Sequence, residues 1–469
     1  MKKTRIGIIS FSDGRERVHN GLLGGILGHQ QKIAAAVTEL GADAIVADEV
    51  AFKPRIAVKE AKRLLSQDIS AVIFNIPVFA FPNLSVIAAD VLNKPIAMLT
   101  PADSALPGMG GLLAAGGALE QSGHTAFKIW GSLNDPSIRR ELGAFIRAAG
   151  AKHGLRGQVY GQIGGRSIGM MTGTAFSSGD WHKVFGVDMD HCDQSEILRR
   201  AALIPDAEQE RMAAWLEKNL GAVQYQQTGK LTKASLKFQV ACAAAVKSII
   251  ADRQYDFVGV KCHYDMSEYA CTQCLSATFL PFNLDWDGPR EPVACACEAD
   301  GEGALTMQIL QLLSGLPSLF MDLRHYDAEA RLWTFCNCGG MSPYYSKRAD
   351  NAEANLRATE LVPVIEKYAG VGSHSRYIGD PGALTCARLQ HGPEGMEIIA
   401  FIADAVEAKP EWTHLSCSAW PHIYARFAGD SRKLLEKLNA NHIHAVDGDW
   451  VQEIEMFAKL AGIRFVKPD

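Results

Sequence analysis

At 469 residues, and with roughly 150 residues per domain, the chain has room for about three domains and for cores that need no disulfide staples. Hydrophobic residues make up 48%, charged residues 21%, and the net charge is −5; this composition excludes a disordered, collagen-like or membrane-spanning chain and shows no basic excess for nucleic acid. The eleven cysteines are odd in number, and the apolar run Ile6–Ser10 is too short for a signal peptide, so the expected location is cytoplasmic with reduced thiols.

In chain order, β-rich runs at Arg5–Ser10, Ala44–Ala47, Ala71–Ile76, Pro95–Thr100 and Thr125–Gly131 alternate with helical patterns. The helices fall near Gln30–Leu40, Ala57–Leu65, Asn83–Asn93 and Gly110–Gly123, and Pro136–Ala149 closes the series. That alternation predicts βαβ units on a parallel sheet, a doubly wound flavodoxin-like or Rossmann-like domain over residues 1–155. A second α/β domain is expected over 156–315. It holds a strand within Gln158–Met171, helices at Asp193–Ala202, Asp206–Asn219 and Leu231–Asp252, and strands at Asp256–Cys262 and Pro292–Cys297. Residues 316–469 are richer in β-type segments, namely Ser318–Leu323, Leu332–Asn337, Glu397–Ile402, Thr413–Cys417 and His442–Val446, with one helix at Val451–Ala461.

Two features that attract notice carry little chemistry. The Gly108-Met109-Gly110-Gly111 and Gly161–Gly165 loops lack the Rossmann fingerprint and the Walker lysine, so no nucleotide cofactor is expected. The cysteine pairs Cys271/Cys274, Cys295/Cys297 and Cys336/Cys338 include a single C-x-x-C knuckle, whereas a structural zinc site needs two. In a strand, residues i and i+2 share a face, which favours the C-x-C pairs as small packing residues.

The most specific stretch is Pro292–Met307, PVACACEADGEGALTM. Here a buried strand enters a turn dense in carboxylates (Glu298, Asp300, Glu302) and then a helix. Ligand sites of open α/β sheets lie at the carboxyl ends of strands, where Glu298 stands. After the helix, the next strand carries Asp322 within an apolar run, Leu319-Phe320-Met321, where a carboxylate is costly unless paired or bound to metal. Two carboxylates and a histidine suit a hard or borderline ion such as Mn²⁺ or Mg²⁺.

These residues resemble the L-fucose isomerase family and, more distantly, L-arabinose isomerase. The resemblance is carried by CEADGEGALTMQIL (Cys297–Leu310), LSGLPSLFMDLRHYD (Leu313–Asp327) and FCNCGG (Phe335–Gly340). It extends to GIISFSDGRERV (Gly7–Val18), GGRSIGM (Gly164–Met170), VDMDHCDQSEILRR (Val187–Arg200) and NHIHAVDGDWVQEIEMFAKLAGI (Asn441–Ile463). It implies a metal-dependent aldose–ketose isomerase with two α/β domains and a C-terminal β-rich, barrel-like domain. Residue by residue it implies metal ligands at Glu298, Asp322 and His442, with His444 and His422 as rival histidines, and Mn²⁺ as the metal (Mg²⁺ or Co²⁺ as alternatives). Glu298 and Asp322 are implied as the acid/base pair, moving a proton between C1 and C2 of the sugar through a cis-enediol.

Further residues are expected at the substrate. Arg15, Arg17 and His19 follow the first strand; His263 and Glu268 follow Asp256–Cys262; Trp420 offers an aromatic wall, and Asn441 adjoins His442. The family implies a homo-oligomer, a trimer or hexamer, whose pockets are completed by neighbouring subunits, with no membrane or nucleic-acid partner. The sugar stays open between an L-fucose or D-arabinose type aldose and an acid-bearing hexose. The stretch 351–395 is hard to match, and His263 stands where the family leads one to expect an amide. Two other classes compete: a non-catalytic sugar-binding or sensory protein, and a thiol- or zinc-dependent enzyme built on the cysteines.

Overall fold

The computed structural model describes residues 3–174, 176–409, 412 and 417–468. The chain divides into two compact units, Met1–Gly154 with Glu455–Ala461, and Leu155–Ile454 with Gly462–Asp469.

In the first unit, strands β1 (Arg5–Ser10), β2 (Asp43–Val46), β3 (Ala71–Asn75), β4 (Ile96–Thr100) and β5 (Ala126–Trp130) form one parallel sheet in the order β2-β1-β3-β4-β5. Helices α1 (Glu16–Glu39), α2 (Pro54–Leu65), α3 (Pro82–Leu92), α4 (Met109–Gln121) and α5 (Pro136–Leu155) follow the strands in turn. The central strands read as unbroken apolar runs because they are buried on both faces, as parallel sheets require. Ile9, Val72, Phe74, Met98 and Leu112 lie at their core. Gly108, ahead of α4, could not carry a side chain: a Cβ there would stand 2.1 Å from Thr100 Oγ1 and 2.4 Å from the Ile76 carbonyl. Helix α1 begins fourteen residues before the expected Gln30 start, through Gly21, Gly24, Gly25 and Gly28. Their low helix propensity hides the helix in the sequence, and burial of Ile26, Ile33 and Val37 overrides it.

The second unit opens with β6 (Val159–Ile163), α6 (Ser178–Phe185), β7 (Asp188–Cys192), α7 (Ser195–Ala201), α8 (Asp206–Asn219), β8 (Ala222–Val223) and α9 (Lys233–Arg253). The expected strand at Gln158–Met171 is confined to β6; beyond Ile163 the chain runs as turn and loop, with Gly164 and Gly169 at positive φ. Next come β9 (Phe257–Val260), α10 (Asp265–Tyr269), α11 (Cys274–Phe279), the hairpin β10 (Leu284–Asp285) and β11 (Gly288–Pro289), β12 (Cys295–Cys297) and α12 (Gly301–Ser314). Strands β12-β9-β6-β7 make a parallel sheet, which places β12 at its edge. Among the described residues, α9 is the one helix long and apolar enough to cross a membrane, and it is 61% buried inside the protein.

The remaining strands are β13 (Leu319–Asp327), β14 (Leu332–Cys336), β15 (Glu360–Pro363), β16 (Ser373–Arg376), β17 (Gly382–Gly392), β18 (Gly395–Ala405), β19 (His422–Phe427), β20 (His442–Asp447) and β21 (Arg464–Val466). Helices α13 (Ala352–Arg357), α14 (Ser431–Lys437) and α15 (Val451–Ala461) lie between them. The expected strand Thr413–Cys417 falls, except for Cys417, outside the described residues. Strands β17-β20-β13-β14-β19-β18 pair antiparallel in sequence, and β18 pairs back onto β17, closing a ring of six. Met321, Phe335, Leu384, Phe401, Ile423 and Ile443 fill its apolar cluster. Side chains alternate along each strand, so their neighbours point the other way. The register sets His442, Asp322, Cys336 and His422 opposite one another on β20, β13, β14 and β19, hence in one row on that other face. Helix α12 packs on β17 and β20.

Candidate metal centre and active site

Glu298 and Ala299, directly after β12, both take the left-handed conformation, at φ 61° and 55°. For residues with a Cβ this costs about 1 kcal/mol or more each, so the turn is held by its surroundings. Asp300 does the holding. As N-cap of α12 it accepts the Gly303 N–H at 2.8 Å, and its Oδ2 accepts Arg388 Nη1 at 2.6 Å and His442 Nδ1 at 2.7 Å. Arg388, from β17, and Asp300 are both fully buried. Arg388 also reaches Glu302 at 3.5 Å, and Glu302 in turn meets His391 Nδ1 at 2.5 Å.

With Nδ1 engaged by Asp300, the other nitrogen of His442 faces two carboxylates. Nε2 lies 3.5 Å from Glu298 Oε2 and 3.8 Å from Asp322 Oδ1. Asn441 Nδ2 donates to Asp322 Oδ1 at 2.9 Å. The second oxygen of Glu298 looks elsewhere: Oε1 is 3.6 Å from His263 Nε2 and accepts from Cys338 Sγ at 3.9 Å. His263 is held by Ser267 Oγ at 3.1 Å and the Tyr368 hydroxyl at 3.2 Å. His444, two residues beyond His442, is fully buried with Nε2 3.0 Å from Arg388 Nη1; burial first, then the guanidinium, pushes it far below the ordinary range, so it stays neutral.

The charges interlock. Burial opposes the protonated form of His442, yet its bonds to Asp300 and Glu298 win and raise it to about 10. Burial pushes Glu298 up, but the hydrogen bond and charge of His442 outweigh it and leave the carboxyl below its usual range. Asp322 moves the other way, raised mainly by burial and further by Glu298. Asp300 is also opposed by burial, and Arg388 with His442 holds it far below the carboxylate range. Cys338 is lowered to about 7, chiefly by the Cys297 thiol 3.9 Å away and then, against burial, by His263.

Four carboxylates, Glu298, Asp300, Glu302 and Asp322, thus share one guanidinium, Arg388, and the imidazolium of His442. A divalent cation taking the place of the His442 proton would keep positive charge among them, and two carboxylates with an imidazole form a donor set such a cation accepts. An imidazole whose far nitrogen is tied to a carboxylate is also the usual support of a metal-binding histidine.

Of the residues expected at the site, Glu298, Asp322, His442, Asn441 and His263 come together. Trp420 is buried beneath the Arg324 guanidinium, 5.4 Å from its ring, and lines a cavity of about 330 Å³ with Tyr377 and His422. Glu268 accepts the Ala369 N–H at 3.4 Å. In the first unit, Arg15 forms a two-point pair with Asp13 at 2.9 and 2.7 Å, Arg17 is exposed, and His19 is buried and stacked on Phe52 at 4.0 Å. Sequence reasoning missed Arg388, Tyr368 and the orienting role of Asp300. It also placed Cys338 among packing residues, although β14 ends at Cys336 and the rule of shared strand faces no longer applies beyond it.

Comparison with known proteins bears on the whole arrangement. The family model described as L-fucose isomerase, first N-terminal domain, matches residues 3–157, and that described as L-fucose isomerase, C-terminal domain, matches residues 335–467. The chain belongs to the L-fucose isomerase family. L-fucose isomerase of Citrobacter koseri is 25% identical over 341 residues, covering 59% of this chain and 58% of that protein. This chain therefore spans less than two thirds of that relative's length. Sulfoquinovose isomerase of Alkalicoccus urumqiensis is 24% identical over 354 residues, covering 74% and 73%. A periplasmic solute-binding protein of Actinobacillus succinogenes with bound D-allose matches at 13% identity and a TM-score of 0.17, over 55% of this chain and 78% of that one, too slight a likeness to bear on fold or function.

Proposed function

We propose that this member of the L-fucose isomerase family is a metal-dependent aldose–ketose isomerase with Glu298, Asp322 and His442 as metal ligands and Glu298 and Asp322 as the acid/base pair. The observation that carries the reading is the convergence of both carboxylates on His442 Nε2 while Asp300 holds Nδ1. A bound divalent cation would supply Lewis acidity to the sugar oxygens and stabilise developing oxyanion charge; Mn²⁺ is the first candidate, with Mg²⁺ or Co²⁺ next. His442 is preferred to His444 because the latter is spent on Arg388.

The chain's own part in the reaction is proton transfer. Glu298 and Asp322 both face His442 Nε2, and in this reading the two carboxylates, held ionised by the metal, take the C2 proton and return one to C1. Asn441 fixes the Asp322 carboxylate, and His263 and Trp420 belong to the sugar-facing surface in this reading. The strand order β2-β1-β3-β4-β5 supports a doubly wound first domain, and we retain three domains, 1–155, 156–315 and 316–469, in a cytoplasmic homo-oligomer of trimer or hexamer type.

The substrate is proposed as an L-fucose or D-arabinose type aldose. One observation favours an acid-bearing hexose instead: the exposed Arg324 lies two residues beyond Asp322 and over Trp420, where an anionic substituent would be met. The test strips metal with a chelator, restores Mn²⁺, Mg²⁺, Co²⁺ or Zn²⁺ singly, and follows ketose formation over a panel including both sugar types. Activity restored by Mn²⁺ is expected. Tight sugar binding without turnover under any metal would overturn the reading in favour of a binding protein, and refolding specific to Zn²⁺ would favour structural zinc.

A further inference from the structure

We propose that His263, Glu298 and Cys338 form a second cation site, selective for a thiophilic divalent ion such as Zn²⁺, on the opposite side of Glu298 from His442. The proposal goes beyond the isomerase reading and shares with it the Glu298 carboxylate and the His263 ring.

Four observations carry it. One ligand atom from each of the three residues lies within 4.8 Å of the other two. The two oxygens of Glu298 are divided, Oε2 toward His442 and Oε1 toward His263 and Cys338, so one carboxylate can serve two ions. The Ser267 hydroxyl donates to the Tyr264 carbonyl and so accepts from His263 Nδ1, which leaves the lone pair of His263 on Nε2, the atom facing Glu298. The Tyr368 hydroxyl donates to that lone pair at 3.2 Å, a bond an ion would displace together with the one from Cys338 Sγ to Glu298 Oε1. Finally, Cys297 Sγ is 3.9 Å from Cys338 Sγ, which sets a second sulfur beside the cluster.

The spacing suits a small tetrahedral ion. Zinc bonds of about 2.0–2.3 Å imply ligand-to-ligand edges of about 3.3–3.8 Å. The His263–Glu298 and Cys338–Glu298 separations, 3.6 and 3.9 Å, are close to those edges, and the third edge is within 4.8 Å. Ligand softness then sorts the ions: sulfur draws Zn²⁺ or Cd²⁺, whereas Asp322 and Glu298 with an imidazole suit Mn²⁺. A thiophilic ion on Oε1 would draw negative charge from the carboxylate that serves the first site through Oε2, so it would weaken Glu298 as a base and act as an inhibitor there.

The test uses the full chain, reduced and chelator-treated, with Co²⁺ as optical probe, Zn²⁺ as competitor and free Mn²⁺ read by electron paramagnetic resonance. Co²⁺ is expected to give a near-ultraviolet thiolate-to-cobalt charge-transfer band that stoichiometric Zn²⁺ removes. Cys338→Ser should lose that band and bind Zn²⁺ at least about tenfold more weakly, with Mn²⁺ affinity kept within about twofold. Should that variant not fold, His263→Gln, which keeps both sulfurs, is expected to weaken Zn²⁺ in the same way. Asp322→Asn should weaken Mn²⁺ and leave the cobalt band in place. A wild-type Co²⁺ spectrum without the sulfur band, or unchanged Zn²⁺ affinity in Cys338→Ser, overturns the second site. Unchanged Mn²⁺ affinity in Asp322→Asn with the sulfur band intact counts against the isomerase centre and supports the second site alone.

Discussion

Two parallel sheets in this chain end their strands in polar residues, and the two ends differ in one respect, charge. In the first unit, Ser10 and Asn75 close the ends of β1 and β3. Ser10 donates to Gln30 at 2.6 Å, Asn75 donates to Ser10 at 2.8 Å, and His29 lies 2.7 Å from the Asn75 oxygen. Every group is neutral, and each finds its partner among the others. At the end of β12, Glu298 instead meets Asp322 and His442 from the six-stranded ring, with Asp300 and Arg388 behind them. A neutral network that satisfies itself stabilises the fold and leaves nothing for a ligand. A network short of positive charge holds that shortage ready for a cation.

The sharpest way to break this contrast is Glu298→Gln. Isomerisation should fall by about a thousandfold or more, while circular dichroism and cooperative unfolding stay those of the native chain. Near-normal turnover would make the two strand ends equivalent. Next comes Arg388→Met, which leaves Asp300 buried without its guanidinium and should cost about 3–5 kcal/mol in urea unfolding. A loss below about 1 kcal/mol would mean the pair is not the support of the turn.

A buried histidine away from the carboxylates sharpens the point further. His374 accepts the Ile365 N–H at Nε2 (3.3 Å), has Nδ1 3.4 Å from Cys274 Sγ, and is pushed down to about 3 by burial and by His263. Because the folded value lies below the unfolded one, its contribution is whole above the ordinary histidine range and is lost as pH falls toward about 3. Between pH 7 and 5 the chain should lose roughly 2 kcal/mol, and His374→Gln should show a flatter pH dependence of the urea midpoint. The smallest effect is expected from Ser10→Ala, about 1 kcal/mol, with Mn²⁺ affinity unchanged. A change in that affinity would erase the distinction between the two strand ends.

The features visible in the sequence are those with a local signature. Glu298 stood out at the end of an apolar strand, and Asp322 stood out as a carboxylate inside one, because each position is costly without a partner. The same reasoning applied to Arg388 in LTCARLQ would have marked it, since a cation there breaks an equally apolar strand; the region lacked a recognised pattern, and the residue went unread. Asp300 is visible in the sequence only as one carboxylate of the turn before a helix; it caps that helix, and its second task depends on His442, far away in sequence. The division of Glu298 between two sets of partners depends on a left-handed turn that no spacing announces. Helix α1 was shortened by its glycines, which propensity penalises and burial overrules. His19 lies in the first turn of this helix, stacked on Phe52.

The central claim is that carboxylates at a metal centre move a proton between C1 and C2 of an aldose. Turnover in deuterium oxide, followed by nuclear magnetic resonance, tests it most directly. The account predicts ketose carrying solvent deuterium at C1, formed only after Mn²⁺ is restored to chelator-stripped protein and not formed by Glu298→Gln. Ketose free of deuterium, or turnover that survives both chelation and Glu298→Gln, would contradict it.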